Sequence, residues 1–225
     1  MKTYQYFNGQ PAFFKLDNGE ILELIQDEYA ESPREWDNLG TLSIASDIHI
    51  HEGDLQNIDD FLSHYKVKQS GYDKAALMRD IDSIQEAAKK QGGVCLPVSA
   101  YDHSGITFYI GKPTAQWDNY LAGFIYVSAE TIREAYGRKR VTAKLRDRVE
   151  QVLANEIADF DDWANGNCWG YRVYDRNGEE VDSCYGFIGD DALDWIADEC
   201  GGKIVKFLGN FDTIEDCLEE TERED

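Results

Sequence analysis

Long apolar runs, prolines and paired cysteines are all scarce in this chain. The longest apolar run, Leu121–Val127, has seven residues, far short of the ~18 that a membrane-spanning helix needs. There are four prolines against 42% hydrophobic and 12% aromatic residues, which excludes a proline-rich or wholly disordered chain. The five cysteines (Cys95, Cys168, Cys184, Cys200 and Cys217) are odd in number, and no two are spaced as CxxC. Structural zinc sites use close-spaced ligand pairs, so neither zinc nor a disulfide framework is expected, and buried free thiols are. The opening Met1-Lys2-Thr3-Tyr4-Gln5 is polar and lacks the apolar core of a signal peptide, so the expected compartment is the cytoplasm. Phosphate-binding glycine loops, HExxH, GxSxG and EF-hand patterns are missing too. The sequence calls for no cofactor.

Positive charge is the other scarcity. Lys plus Arg is 22 against 44 Asp plus Glu, a net charge of −22 in 225 residues. Residues 1–65 carry 13 acidic and 3 basic side chains, residues 66–155 carry 10 and 14, and residues 156–225 carry 21 and 5. Two acidic flanks therefore enclose a mildly basic centre. Such a field repels nucleic acid and attracts basic partners.

What is present is a pattern of hairpins separated by helices. Tyr4–Phe7, Ala12–Leu16 and Ile21–Ile25 read as a β-meander with Asn8-Gly9 and Asn18-Gly19 turns. Leu42–Ile50 alternates as a strand, and Leu55–Tyr65 reads as a short helix. Leu77, Ile81, Ile84 and Ala88 place one apolar stripe on a helix over 73–91. Leu145, Val149, Val152, Leu153, Ile157 and Phe160 do the same over 142–164. Val94–Ala100, Ile106–Ile110 and Leu121–Val127 read as strands, as do Trp169–Asp175 and Glu179–Phe187 around Asn177-Gly178. Asp190 is the expected cap of a helix bearing Leu193, Ile196, Ala197 and Cys200. A strand at Ile204–Leu208 and a Thr213/Asp216 cap precede a charged tail. The expected class is α+β, with an antiparallel or mixed sheet packed against two longer helices and an N-terminal β-meander.

Several side-chain groups are candidates for chemistry. Asp47, His49 and His51 alternate on one strand face and are the best weak metal candidates; the plainer reading is a solvated face. Asp102-His103-Ser104 carries the letters of a catalytic triad, but adjacent residues cannot converge as a relay and read as a turn. Arg140, Lys144 and Arg148, preceded by Arg138 and Lys139, form a basic stripe whose plainer role is to balance neighbouring acids. Trp36, Trp117, Trp169 and Trp195 read as core or interface residues. The acidic candidates are Asp159, Asp161, Asp162, Asp190, Asp191, Asp194 and Asp198. Of these, Asp191, Asp194 and Asp198 are spaced to share one helix face.

Four segments carry a resemblance: Ser32-Pro33-Arg34-Glu35-Trp36-Asp37-Asn38-Leu39-Gly40-Thr41, Tyr101-Asp102-His103-Ser104-Gly105-Ile106-Thr107, Gly123-Phe124-Ile125-Tyr126-Val127-Ser128 and Asp182-Ser183-Cys184-Tyr185-Gly186-Phe187. In this order they resemble a family of uncharacterised proteins of bacteriophages and prophages, over about residues 29–190. The chain departs from that pattern at Leu42–Asp47, where an aromatic and basic stretch is expected, and at Tyr185, where Trp is. The resemblance implies a phage accessory protein acting inside a bacterium and carries no catalytic assignment. The expected organisation is one domain over 1–225. Within it, 1–28 is a meander addition, 29–190 the family core, and 191–225 an acidic helix, strand and tail.

The function expected from charge and resemblance together is inhibition of a host defence system by acidic mimicry of DNA, of anti-restriction or anti-CRISPR type. Duplex DNA carries one charge per ~1.7 Å, so 22 charges match roughly 37 Å of duplex, comparable with a domain diameter of about 44 Å. The partner would be a host protein with a basic groove, with no direct nucleic acid and no membrane involved. The alternatives are a host-protein regulator docking by shape, or a small enzyme using His103 or the Asp47–His51 face. The oligomeric state is left open.

Overall fold

The computed structural model describes residues 2–45, 61–68, 70–71, 73–114 and 117–224. Its strands are β1 (Ala12–Leu16), β2 (Ile21–Gln26), β3 (Thr41–Ile44), β4 (Val94–Asp102), β5 (Ile106–Ile110), β6 (Asn119–Val127), β7 (Cys168–Tyr174), β8 (Glu180–Ile188) and β9 (Ile204–Asn210). Its main helices are α1 (Lys74–Lys90), α2 (Ala129–Ala135), α3 (Ala143–Ala164), α4 (Ala192–Glu199) and α5 (Ile214–Glu224). Every strand pairing is antiparallel, and helices stand apart from strands in the chain, so the fold is α+β.

The chain divides into two compact units. A terminal unit joins residues 1–31 to 162–225, and a central unit holds 32–161. The terminal unit is built on a five-stranded sheet of order β8-β7-β2-β1-β9. Alternate strand residues point to opposite faces. Ala12, Phe14, Leu16, Leu22, Leu24, Trp169, Tyr171 and Val173 face Ala192, Leu193 and Ile196 of α4. Phe13, Ile21 and Tyr174 face Ile214 and Cys217 of α5. One helix therefore covers each face of the sheet. The tight turns at Asn18-Gly19 and Asn177-Gly178 form where expected, both glycines taking positive φ.

The central unit has a four-stranded sheet of order β3-β6-β4-β5. Asp73 caps α1 by accepting the Ala76 N–H at 2.7 Å. The α1 stripe of Ala76, Leu77, Ile81, Ile84 and Ala88 is buried. Of the expected α3 stripe, Val149, Leu153, Ile157 and Phe160 are buried, while Leu145 and Val152 are half-buried. The Phe160 ring meets Phe108 at 5.1 Å. Residues 61–65 are helical, and Phe61 packs on Phe124 at 5.1 Å. The strand expected over Leu42–Ile50 ends at Ile44, before Ala45; residues 46–50 lie outside the described residues.

Two local expectations are corrected. Tyr4–Phe7 is not a strand: Thr3–Tyr6 forms a 3-10 turn. Asp190 is not the cap of α4 either, because Asp191 holds that position and makes no side-chain cap bond. Both corrections have one cause. The buried Thr3 hydroxyl accepts the Leu193 N–H at 2.9 Å and donates to the Asp190 carbonyl at 2.8 Å. The Thr3 N–H donates to the same carbonyl at 2.8 Å. The N-terminal segment is thereby committed to capping a helix 190 residues away. No helix among the described residues is long and apolar enough to cross a membrane.

Candidate functional site

The fold redistributes the charge. The terminal unit contains 24 acidic and 7 basic residues, a net −17 over 95 residues; the central unit contains 20 and 15, a net −5 over 130. The two acidic ends of the chain thus fold into one body.

Within that body α4 presents the clearest acidic face. Ala192, Leu193 and Ile196 point into the core, and Asp191, Asp194, Asp198 and Glu199 are exposed. At 100° per residue these carboxylates and Trp195 share one arc of the helix. Trp195 is 53% exposed among them. Because Thr3 supplies the cap, Asp191 is not needed for that role. Asp194 lies in the first turn, where the helix dipole favours a carboxylate; Asp198 and Glu199 lie in the last, where it disfavours them, and no basic residue compensates there.

The other acidic candidates have structural duties. Asp190 is ion-paired with Lys2 at 2.7 Å and accepts from Asn167 at 3.2 Å. The Lys2 contact holds its carboxyl below the ordinary range. Asp162 accepts from Asn167 at 2.7 Å, and burial pushes its carboxyl up. Asp161 accepts the Phe108 N–H at 2.6 Å, and Asp161 and Asp159 are half-buried members of the central unit. Of the seven, Asp162, Asp190, Asp191, Asp194 and Asp198 belong to the terminal unit. Asp191, Asp194 and Asp198 are exposed together on α4, and Asp159 and Asp161 belong to the central unit. A second acidic face, Glu215, Asp216, Glu219 and Glu220 on α5, is exposed on the opposite side of the sheet from α4.

A buried group in the terminal unit escaped sequence reasoning. Glu23 on β2 is 4% exposed. The Tyr174 hydroxyl donates to it at 2.7 Å, and Arg172 lies 3.7 Å away. Arg172 also reaches Glu180 at 3.8 Å and the Tyr185 hydroxyl at 3.2 Å. Burial raises the Glu23 carboxyl above its ordinary value, against the opposing pull of Tyr174 and Arg172. The signal was a lone charge inside Ile21-Leu22-Glu23-Leu24-Ile25, which reads equally as the solvated position of an edge strand. What decides its burial is β2's central place in the sheet.

The named motifs prove architectural. In the first, Ser32 accepts the Arg34 N–H at 3.2 Å, and Arg34 bonds Asn38 at 3.2 Å and the Gly40 carbonyl at 2.7 Å. Arg34 also pairs with Glu156 of α3 at 3.1 Å, with both side chains 10% exposed. Glu156 further accepts the N–H groups of Leu39 and Gly40 at 2.8 and 3.2 Å. A Cβ on Gly40 would stand 2.5 Å from a Leu153 methyl. In the second, Ser104 and Gly105 take positive φ at the β4–β5 turn. His103 is 67% exposed there and lies 3.3 Å from Asp118. This is the expected turn rather than a relay. Tyr185 of the fourth motif lies across Gly170, where a Cβ would meet its ring at 2.4 Å.

Comparison with protein-family models, curated proteins and solved structures gives no match. Asp47, His49 and His51 lie outside the described residues. Among the described residues no group of three or more His, Cys, Asp or Glu side chains is placed to hold a metal ion. The five cysteines are free. Cys95, Cys168 and Cys217 are buried, and burial raises their thiols, Cys168 and Cys217 to about 11. Cys184 departs from the expectation of burial and is exposed. Of the tryptophans, Trp169 is core, while Trp36, Trp117 and Trp195 are exposed at 45%, 92% and 53%.

Proposed function

We propose that the terminal unit is an acidic docking body of a phage accessory protein, acting in the bacterial cytoplasm on a host defence protein with a basic, nucleic-acid-binding groove. The observation that carries this reading is the joining of the acidic C-terminal residues 162–225 with residues 1–31 in one unit of net −17. The exposed Asp191–Asp194–Asp198 face, with Trp195 exposed beside it, supports it. Clustered carboxylates steer a basic partner, and an exposed tryptophan is the residue type that most often anchors an interface. The four motif segments support the phage origin.

The opposite positions of α4 and α5 refine the mimicry. Each acidic face is one helix wide, so the reading is a short stretch of DNA-like charge on α4 rather than a wrapped duplex. The test is capture from a bacterial lysate on immobilised protein at roughly 50 and 200 mM salt, followed by elution with duplex DNA. Recovery at low salt of a nucleic-acid-binding protein that duplex DNA displaces is the expected result. A partner that DNA cannot displace would replace charge mimicry with docking by shape.

A further inference from the structure

The central unit carries an open surface cavity of about 430 Å³ lined by Arg138, Arg140, Thr142, Lys144, Leu145 and Arg148, of which all but Leu145 are exposed. Four of its six lining residues are cations, and none is a carboxylate. The cluster stands in the mildly basic centre of a chain where acids outnumber bases two to one. Among the described residues none of the four forms an ion pair. The nearby Arg146 shows the contrast: its guanidinium leaves the cluster to donate to the Gly93 carbonyl at 2.8 Å.

The backbone under the cavity is fixed at both ends. Gly137 takes φ 59° at the end of α2, and the Arg138 N–H closes back on the Arg133 carbonyl at 2.9 Å. Thr142 caps α3 by accepting the Leu145 N–H at 3.2 Å. Lys144 and Arg148 then stand one turn apart on α3, and the Arg148 guanidinium rests 5.4 Å from the Tyr136 ring centre. The 22-residue α3 directs its positive dipole end toward the same place. Mutual repulsion of four unpaired cations is a cost that a multivalent anion removes.

We propose that this cavity binds a compact anion carrying several phosphoryl groups, of the triphosphate class. Guanidinium groups match phosphate oxygens in pairs, and the volume lies in the range of small-molecule sites. A long polyanion is disfavoured, since the chain's net charge of −22 repels it overall.

Calorimetric titration of the full chain with inorganic triphosphate, a nucleoside triphosphate, orthophosphate and a 20-nucleotide single strand tests this. One saturable site for inorganic triphosphate is expected, at least tenfold tighter than for orthophosphate. Equal affinity for the nucleoside triphosphate assigns recognition to the phosphates alone; tighter binding assigns a nucleotide. The exposed pair Arg140→Glu with Lys144→Glu should weaken binding at least tenfold with the melting temperature unchanged. Lys89→Glu with Lys90→Glu, on α1, should leave it within twofold. The proposal is overturned by no saturable binding, by equal losses in the two double variants, or by a single strand that binds more tightly than triphosphate.

Discussion

At the scale of the residue, Thr3 and Glu23 show how one side chain decides a neighbourhood. Thr3→Val keeps the shape and removes the hydroxyl, leaving the Leu193 N–H without its acceptor and Asp190 without one donor. Losing a helix cap or a buried hydrogen bond costs ~1–2 kcal/mol. Denaturant unfolding of Thr3→Val should show that loss, and an unchanged midpoint would refute the capping role. Glu23 acts through pH. Its carboxyl is raised in the fold, so its stabilising contribution is full below the unfolded value of 4.5 and declines as pH rises through the folded one. Glu23→Gln resembles the protonated form at every pH. The variant should match the parent near pH 4 and gain on it toward pH 7. A variant that instead falls behind as pH rises would mean that the Arg172 pairing outweighs burial.

Neither residue's role was legible beforehand. Thr3 sits in a polar opening with no periodicity, and its partner is 190 positions away. Glu23 has the spacing of an outward strand position. Asp191, Asp194 and Asp198 were legible, because helical spacing and an apolar counter-face are local properties.

At the scale of the element, the longer helices and the Asn-Gly hairpins were readable from the apolar stripes and turn residues. The Ser32–Thr41 segment was legible as a motif but not as a mechanism. Its physical role is to fold around a carboxylate: Glu156 on α3 neutralises Arg34 and takes two backbone N–H groups. Removing one member of a buried pair leaves the other charge uncompensated and costs about 3–5 kcal/mol. Glu156→Ala should therefore lower stability by at least about 3 kcal/mol, more than any exposed carboxylate of α4. A loss below 1 kcal/mol in denaturant unfolding would show that the segment stands without this anchor. Helix α4 is the reverse case. Its outward acids make no contribution to the core, and Asp198 and Glu199 oppose the helix dipole, so their replacement should leave folding intact.

At the scale of the whole molecule, the sequence showed two acidic flanks around a basic centre, and the fold gives that pattern a physical meaning. Strands β1 and β2 pair with β9 and β7, across more than 140 residues of intervening chain. No local signal specifies such a pairing, which is why the common body of residues 1–31 and 162–225 was not readable. Once formed, it concentrates −17 of the −22 net charge in the terminal unit and leaves the central unit with its basic cavity.

The most direct test of the acidic docking account is the affinity of the captured partner for the parent and for the Asp191→Asn, Asp194→Asn, Asp198→Asn triple variant, measured from roughly 50 to 200 mM salt. The account predicts that the parent's affinity falls at least tenfold over that range, and that the folded triple variant binds more weakly at low salt with a flatter dependence. Equal affinities for both proteins, unchanged by salt, would contradict it.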